Sequence, residues 1–245
     1  MDREIRTPMT AGTATTIPAH IHGYPDLAFG GYVAGMLADR VGGEVRVDFR
    51  RGIAVQAPVL LTDSGSGSVL TDLDGTVLAE ANPGSVELAV LPPPSWEQAV
   101  EASRASFAAG RPIPDCYGCG TANTPGRGLR LYPWRLRERD LVAAAWVPDP
   151  ELAGPGGHLT TENIWSAVDC PGGWAAVELS GMRPGGVTAA LTARHIGPVR
   201  AGENYLVWSW PIAAAGRKHT VGVAISTPGG DLRVLAEALW IEPRG

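Results

Sequence analysis

Among the side chains able to do chemistry, Asp169 has the setting of a general base. It ends an apolar run containing Ile164, Trp165 and Val168, whose spacing predicts a helix beginning near Thr161. A carboxylate in apolar surroundings holds a raised pKa or an activated charge, and either suits proton abstraction. The opening of the same helix, at Thr161 and Glu162, presents amides with no partner inside the helix, which can polarise a carbonyl. Glu162 precedes Asp169 by seven residues, so both project from one helix face. A helix-breaking aspartate beside Pro171 is the plain structural alternative.

Cysteine and histidine offer weaker patterns. Cys116-x-x-Cys119 has the spacing of half a zinc site, but no second CxxC or His-rich partner follows, so no metal is expected. A redox pair lacks the thioredoxin-like βαβ context. Cys170 has no neighbouring histidine to activate it and is expected as a packed small side chain. His158 falls near the helix opening, while His195 and His219 are expected as strand residues with ordinary hydrogen bonds. Arg217-Lys218-His219 is the densest basic cluster, fit for a phosphate or simply for water.

The elements that position these groups come from an internal repeat. Val77-Leu78-Ala79-Glu80-Ala81 recurs identically as Val234-Leu235-Ala236-Glu237-Ala238, and each copy follows a Gly-bearing turn, as the second strand of a hairpin would. Upstream, Phe49 to Val55 corresponds loosely to Arg194 to Arg200. One helical stretch precedes each strand block, Phe29 to Val41 and Thr161 to Leu179, the second with a kink or break expected at Pro171. Between the copies lie Pro92-Pro93-Pro94 and a predicted helix from Trp96 to Ala109. The reading is an N-terminal unit over 15–90, a linker with its helix over 91–114, and a C-terminal unit over 115–242. One helix followed by several antiparallel strands is an α+β order, unlike βαβ alternation.

Three stretches, Gly23-Tyr24-Pro25 leading to Phe29-Gly30-Gly31, Cys116-Tyr117-Gly118-Cys119-Gly120, and Asp169-Cys170-Pro171 through Ala176, resemble the hotdog-fold thioesterases, specifically the phenylacetate-type and acyl-CoA types. Cys116-Tyr117-Gly118-Cys119-Gly120, with Asn123 and Gly128-Leu129-Arg130-Leu131, is similar to the opening motif of such enzymes. Gly23-Tyr24-Pro25 through Phe29-Gly30-Gly31 resembles the family's approach to its helix, with Phe29 where the family has histidine. Asp169-Cys170-Pro171-Gly172-Gly173-Trp174-Ala175-Ala176 resembles a helix stretch in which the aspartate is catalytic. The likeness covers nearly the whole chain and implies a double hotdog, two tandem units each with a helix wrapped by a curved sheet. It implies an acyl thioester hydrolase acting on an acyl-CoA or acyl-carrier-protein substrate, with one working cleft of two. It assigns Asp169 and Thr188 as catalytic, Thr188 by matching a threonine that orients water. Thr161, Glu162, Trp165, Gly30 and Gly31 become substrate-binding candidates.

Trp174, Trp208 and Trp210 join Trp165 as candidates for an acyl pocket. The family's last-strand glutamine is missing here, where the chain reads Ala236-Glu237. Ala38 occupies the first-unit position that matches Asp169, and Asp39 is one residue out of register, facing solvent or capping a contact. His20-x-x-Gly23-x-Pro25 is similar to the opening of hotdog dehydratases, with its glycine one residue too far along. A dehydratase, isomerase or cyclase, or a non-catalytic acyl-binding scaffold, is therefore kept as the rival.

Composition sets the remaining bounds. Hydrophobic residues are 44% of 245, enough for a real core, and the 32 Gly and 21 Pro are scattered as turn formers. A net charge of −5, with no Lys/Arg-rich block, argues against nucleic acid. Met1-Asp2-Arg3-Glu4 opens no signal-peptide pattern, and no segment has the ~18 uninterrupted apolar residues of a membrane span. Three cysteines are too few, and odd, for a disulfide framework, which fits a cytoplasmic protein. No cofactor is expected beyond the coenzyme A or phosphopantetheine of the substrate, no membrane partner is expected, and a homodimer is admitted.

Overall fold

Residues 12–244 are described by a computed structural model. The opening Met1–Glu4, read above for targeting, lies outside the described residues. The first half contributes β1 (Thr13–Thr16), α1 (Gly30–Val41), β2 (Val45–Phe49), β3 (Pro58–Ser64), β4 (Gly67–Thr71) and β5 (Val77–Pro83). A crossing segment carries α2 (Trp96–Ala109). The second half contributes β6 (Trp134–Arg135), β7 (Val142–Trp146), α3 (Thr161–Ser180), β8 (Val187–His195), β9 (Tyr205–Ala215), β10 (Lys218–Ser226) and β11 (Leu232–Ile241).

The described strands form one sheet in the order β1-β3-β4-β5-β2-β8-β11-β10-β9-β7-β6, and the named pairs are antiparallel. The order is nearly palindromic: β3-β4-β5-β2 in one half answers β9-β10-β11-β8 in the other. The repeated pentapeptide falls on β5 and β11, each lying between its hairpin partner and the innermost strand of its half. The halves join edge to edge through β2 and β8, from Val45 opposite Ala193 to Asp48 opposite Ala190.

Inside the sheet's curve, α1 and α3 pack on each other. α1 buries Val33, Ala34, Leu37 and Ala38 together with Gly31 and Gly35. Full burial of Val33 and Leu37 stabilises by roughly 1.5–3 kcal/mol each. α3 is buried continuously from Asn163 to Gly172, as a helix enclosed on all sides must be. The break expected at Pro171 does not occur, and α3 runs unbroken from Thr161 to Ser180. Proline removes one helical donor, and here packing against α1 and the sheet on both sides outweighs that loss.

Two glycines set the helix–helix distance. A Cβ on Gly31 would lie 2.6 Å from Ser166 Cα and 2.7 Å from Asp169 Cβ, and one on Gly35 would strike the Glu162 backbone. The contacts run in opposite directions along the two chains, so the helices are antiparallel. α2 lies on the sheet's outer side, started by a capping box between Ser95 and Gln98. Its Ala99 joins Leu141, Trp208 and Trp210 in a second apolar cluster. Among the described residues, no helix is long and apolar enough to cross a membrane.

Candidate functional site

The antiparallel packing of α1 and α3 brings Asp169 to the start of α1. Asp169 is 2% exposed; its Oδ2 accepts from the Gly31 N–H at 2.8 Å and its Oδ1 from the Thr188 hydroxyl at 2.6 Å. Burial pushes the carboxyl up to about 6, while the Thr188 and Gly31 hydrogen bonds pull the other way. The caps explain why α1 accepts this visitor. α2 and α3 have side-chain caps at Ser95 and Thr160, whereas Phe29, at the head of α1, provides none. Asp169 therefore supplies from another helix the acceptor that α1 lacks at home.

A cavity of about 660 Å³ opens beside this carboxylate. Gly30, Asp169 and Thr188 line it, together with mostly apolar side chains including Tyr24, Phe29, Trp174, Met182 and Trp240. Both halves contribute, since Tyr24 to Ile53 come from the first and Asp169 to Ile241 from the second. A mostly apolar recess with a few convergent polar groups is the form of a small-molecule site. Arg50, Arg51 and Arg111 add positive charge to its walls. The Arg111 guanidinium lies 4.1 Å from the Trp174 ring centroid, a cation–π stack.

The structure sorts the sequence-derived residues into two places. Asp169, Thr188, Gly30 and Gly31 converge as expected, but Thr161, Glu162 and Trp165 are elsewhere. Asp169 lies about 12 Å along the helix axis from Thr161. The Thr161 hydroxyl donates to Asp39 Oδ1 at 2.7 Å, Glu162 backs onto Gly35, and Trp165 is fully buried in the core. The helix opening that faces Asp169 is that of α1, not of α3. Asp39 is exposed and makes only that side-chain contact among the hydrogen bonds described, so the described residues of the first half present no buried carboxylate matching Asp169.

Of the four tryptophans proposed for an acyl pocket, Trp174 alone lines the cavity; Trp208 and Trp210 pack under α2, and Trp240 takes a place that sequence reading missed. His20 stacks edge-on against Tyr117 outside the cavity lining. The basic triplet is split, with His219 buried against Ser180. Glu237, in the strand where the family has glutamine, does not line the cavity.

The CxxC gains a partner. Cys116, Cys119 and Cys170 are buried and free, and their sulfurs lie within 4.8 Å of one another. In sequence the CxxC stands without further ligands, and the fold brings it a third sulfur from α3. Hydrogen bonds from Cys116 and Cys170 hold the Cys119 thiol well below its ordinary value and leave the other two raised.

The orienting role of Thr188 has a direct test. Thr188→Val keeps the shape and removes the donor to Asp169 Oδ1. Turnover is expected to fall about 10-fold with little change in KM, a smaller loss than removal of the carboxylate. Equal losses from the two changes would make Thr188 as necessary as the base.

The same fold occurs in solved structures. Similar chains include a protein from Novosphingobium aromaticivorans assigned as a thioesterase, at TM-score 0.63 and 14% identity, with 96% of each chain covered. A hot dog fold protein from Alicyclobacillus acidocaldarius matches at TM-score 0.61 and 13% identity, over 97% of this chain and 96% of that one. The acyl-CoA thioesterase II of Mycobacterium marinum matches at 0.57 and 14%, over 95% and 93%. No family model and no curated protein matches the sequence. The chain has the double hotdog fold, with one helix of each half inside a shared sheet.

Proposed function

We propose that the chain hydrolyses an acyl thioester carried on coenzyme A or on an acyl carrier protein. The observation that carries this reading is the Asp169 carboxylate, held by the Gly31 amide and the Thr188 hydroxyl at the wall of an apolar cavity. An acyl group enters the recess with its carbonyl toward the first turn of α1. Asp169 takes a proton from a water molecule as that water attacks the carbonyl carbon. The oxygen that gains charge faces the α1 opening, where amide dipoles favour an anion. Collapse breaks the carbon–sulfur bond and the thiolate leaves with the proton, giving a carboxylic acid and a thiol. The likeness to an acyl-CoA thioesterase supports the thioester as the bond attacked. The odd cysteine count supports a cytoplasmic setting.

The contacts of Asp169 are also those of a helix cap, which favours a second reading: an acyl-binding protein without turnover. A panel of acyl-CoA substrates with colorimetric detection of released thiol separates the two. Turnover on at least one substrate upholds hydrolysis. Saturable binding with no thiol released across the panel replaces it with the binding role.

A further inference from the structure

The chain has three cysteines, and all three meet at one point of the cavity wall. Two come from a tight turn after α2 and one from the middle of α3, so the convergence is a product of the tertiary fold. The turn is built to present them. Cys116 O accepts from the Gly120 N–H at 2.8 Å and from the Asn123 side-chain amide at 2.7 Å, and the Tyr117 N–H donates to His22 O. Gly118 lets the turn approach α3: a Cβ there would lie 2.8 Å from the Phe29 ring and 3.0 Å from Cys170 Cβ.

The surroundings suit a negative centre. Arg111 Nε and Nη1 are buried with no hydrogen-bond partner, and no ion pair of Arg111 occurs among the described residues. Its positive field reaches Cys119. Arg111 is half-buried, and only its Nη2 is partnered, donating to the Ser106 hydroxyl and to Pro133 O. A cation held this way without a carboxylate favours a nearby anion, which the three sulfurs become once a metal displaces their protons.

We propose that Cys116, Cys119 and Cys170 bind one zinc ion, with the fourth coordination position open to the cavity that holds Asp169. Zinc–sulfur bonds of about 2.3 Å in a tetrahedron set the sulfurs roughly 3.8 Å apart, a spacing that sulfurs all within 4.8 Å of one another can reach with little or no movement. Thiolates select a soft ion over magnesium or calcium. Three protein ligands with an open fourth position is the arrangement of a zinc that takes an outside ligand. Three thiolates on a divalent ion leave one net negative charge, which Arg111 offsets. Binding expels the thiol protons to solvent. This inference stands apart from the hydrolase reading, since its readout is the metal itself.

Cobalt(II) reports the site by spectroscopy. The untagged chain is reduced, stripped with chelator, checked for three free thiols and titrated with cobalt. The expected result is one equivalent bound, sulfur-to-cobalt charge-transfer absorption, intense visible bands of a tetrahedral ion, and displacement by zinc. Imidazole is expected to shift the visible bands by entering the open position. Cys119→Ser should weaken cobalt binding about 100-fold or more with the charge-transfer band reduced, folding being checked by circular dichroism. A wild-type chain with three free thiols and no charge-transfer band overturns the site, whatever the variant does. Unshifted bands with imidazole overturn the open position.

Discussion

Asp169→Asn is expected to lower turnover by about 10²-fold or more while leaving substrate affinity nearly intact. The substitution preserves size and keeps an oxygen for the Gly31 N–H or the Thr188 hydroxyl, both of which donate to this side chain. What it removes is the ability to take a proton from water. A drop in kcat with KM unchanged is therefore the signature, measured by thiol release over a range of substrate concentrations. Asp39→Asn is the internal control, because that carboxylate is exposed and its contact is the Thr161 hydroxyl. It should change little. Full activity in Asp169→Asn would leave the carboxylate as a helix cap and remove the base from the mechanism.

Gly31→Ala is expected to have the second-largest effect, and to act on fold and site together. Its methyl would meet Ser166 Cα and Asp169 Cβ at under 3 Å, backbone and stiff side-chain atoms with nowhere to swing. Overpacking of this kind costs about 1–3 kcal/mol, visible as a lower thermal midpoint. The helices must also part at the point where the Gly31 amide holds the carboxylate, so turnover should fall by about 10-fold or more. Gly35→Ala separates the two effects. It meets Glu162 one turn further along α1, away from the cavity lining. Similar destabilisation with a smaller loss of turnover is expected there. A stable, fully active Gly31→Ala would show that the helices tolerate a wider spacing and that the amide contact is dispensable.

Much of the fold was legible because the sequence states it twice. The repeated pentapeptide marked β5 and β11, and the stretch after Pro92-Pro93-Pro94 marked α2 from Trp96 to Ala109. β7 was not legible, for Val142-Ala143-Ala144-Ala145-Trp146 carries little strand preference and is fixed by pairing with β9. The site divided along the same line. Asp169 and Thr188 could be named from local pattern and resemblance. Thr161, Glu162 and Trp165 were assigned to the same place because a helix opening is visible in sequence while the direction of its neighbour is not. Antiparallel packing put the α1 opening beside Asp169 and the α3 opening beside Asp39. Cys170 escaped notice as a third sulfur, and Arg111 as its neighbour, for the same reason: a 51-residue separation closes only in the folded chain.

The seam between β2 and β8 has a consequence for how the site responds to concentration. Gly31 belongs to one half and Asp169 to the other, so the site is complete only when the halves are docked. Two separate chains would meet this requirement by association and would come apart on dilution. Here the crossing segment with α2 holds the halves on one chain, at an effective concentration on the order of millimolar or above. Activity per chain should then stay constant down to the lowest enzyme concentration that can be assayed. The tether also frees each half from having to serve as its own partner, and so lets the first half keep Asp39 on the surface while the second keeps Asp169 in the wall.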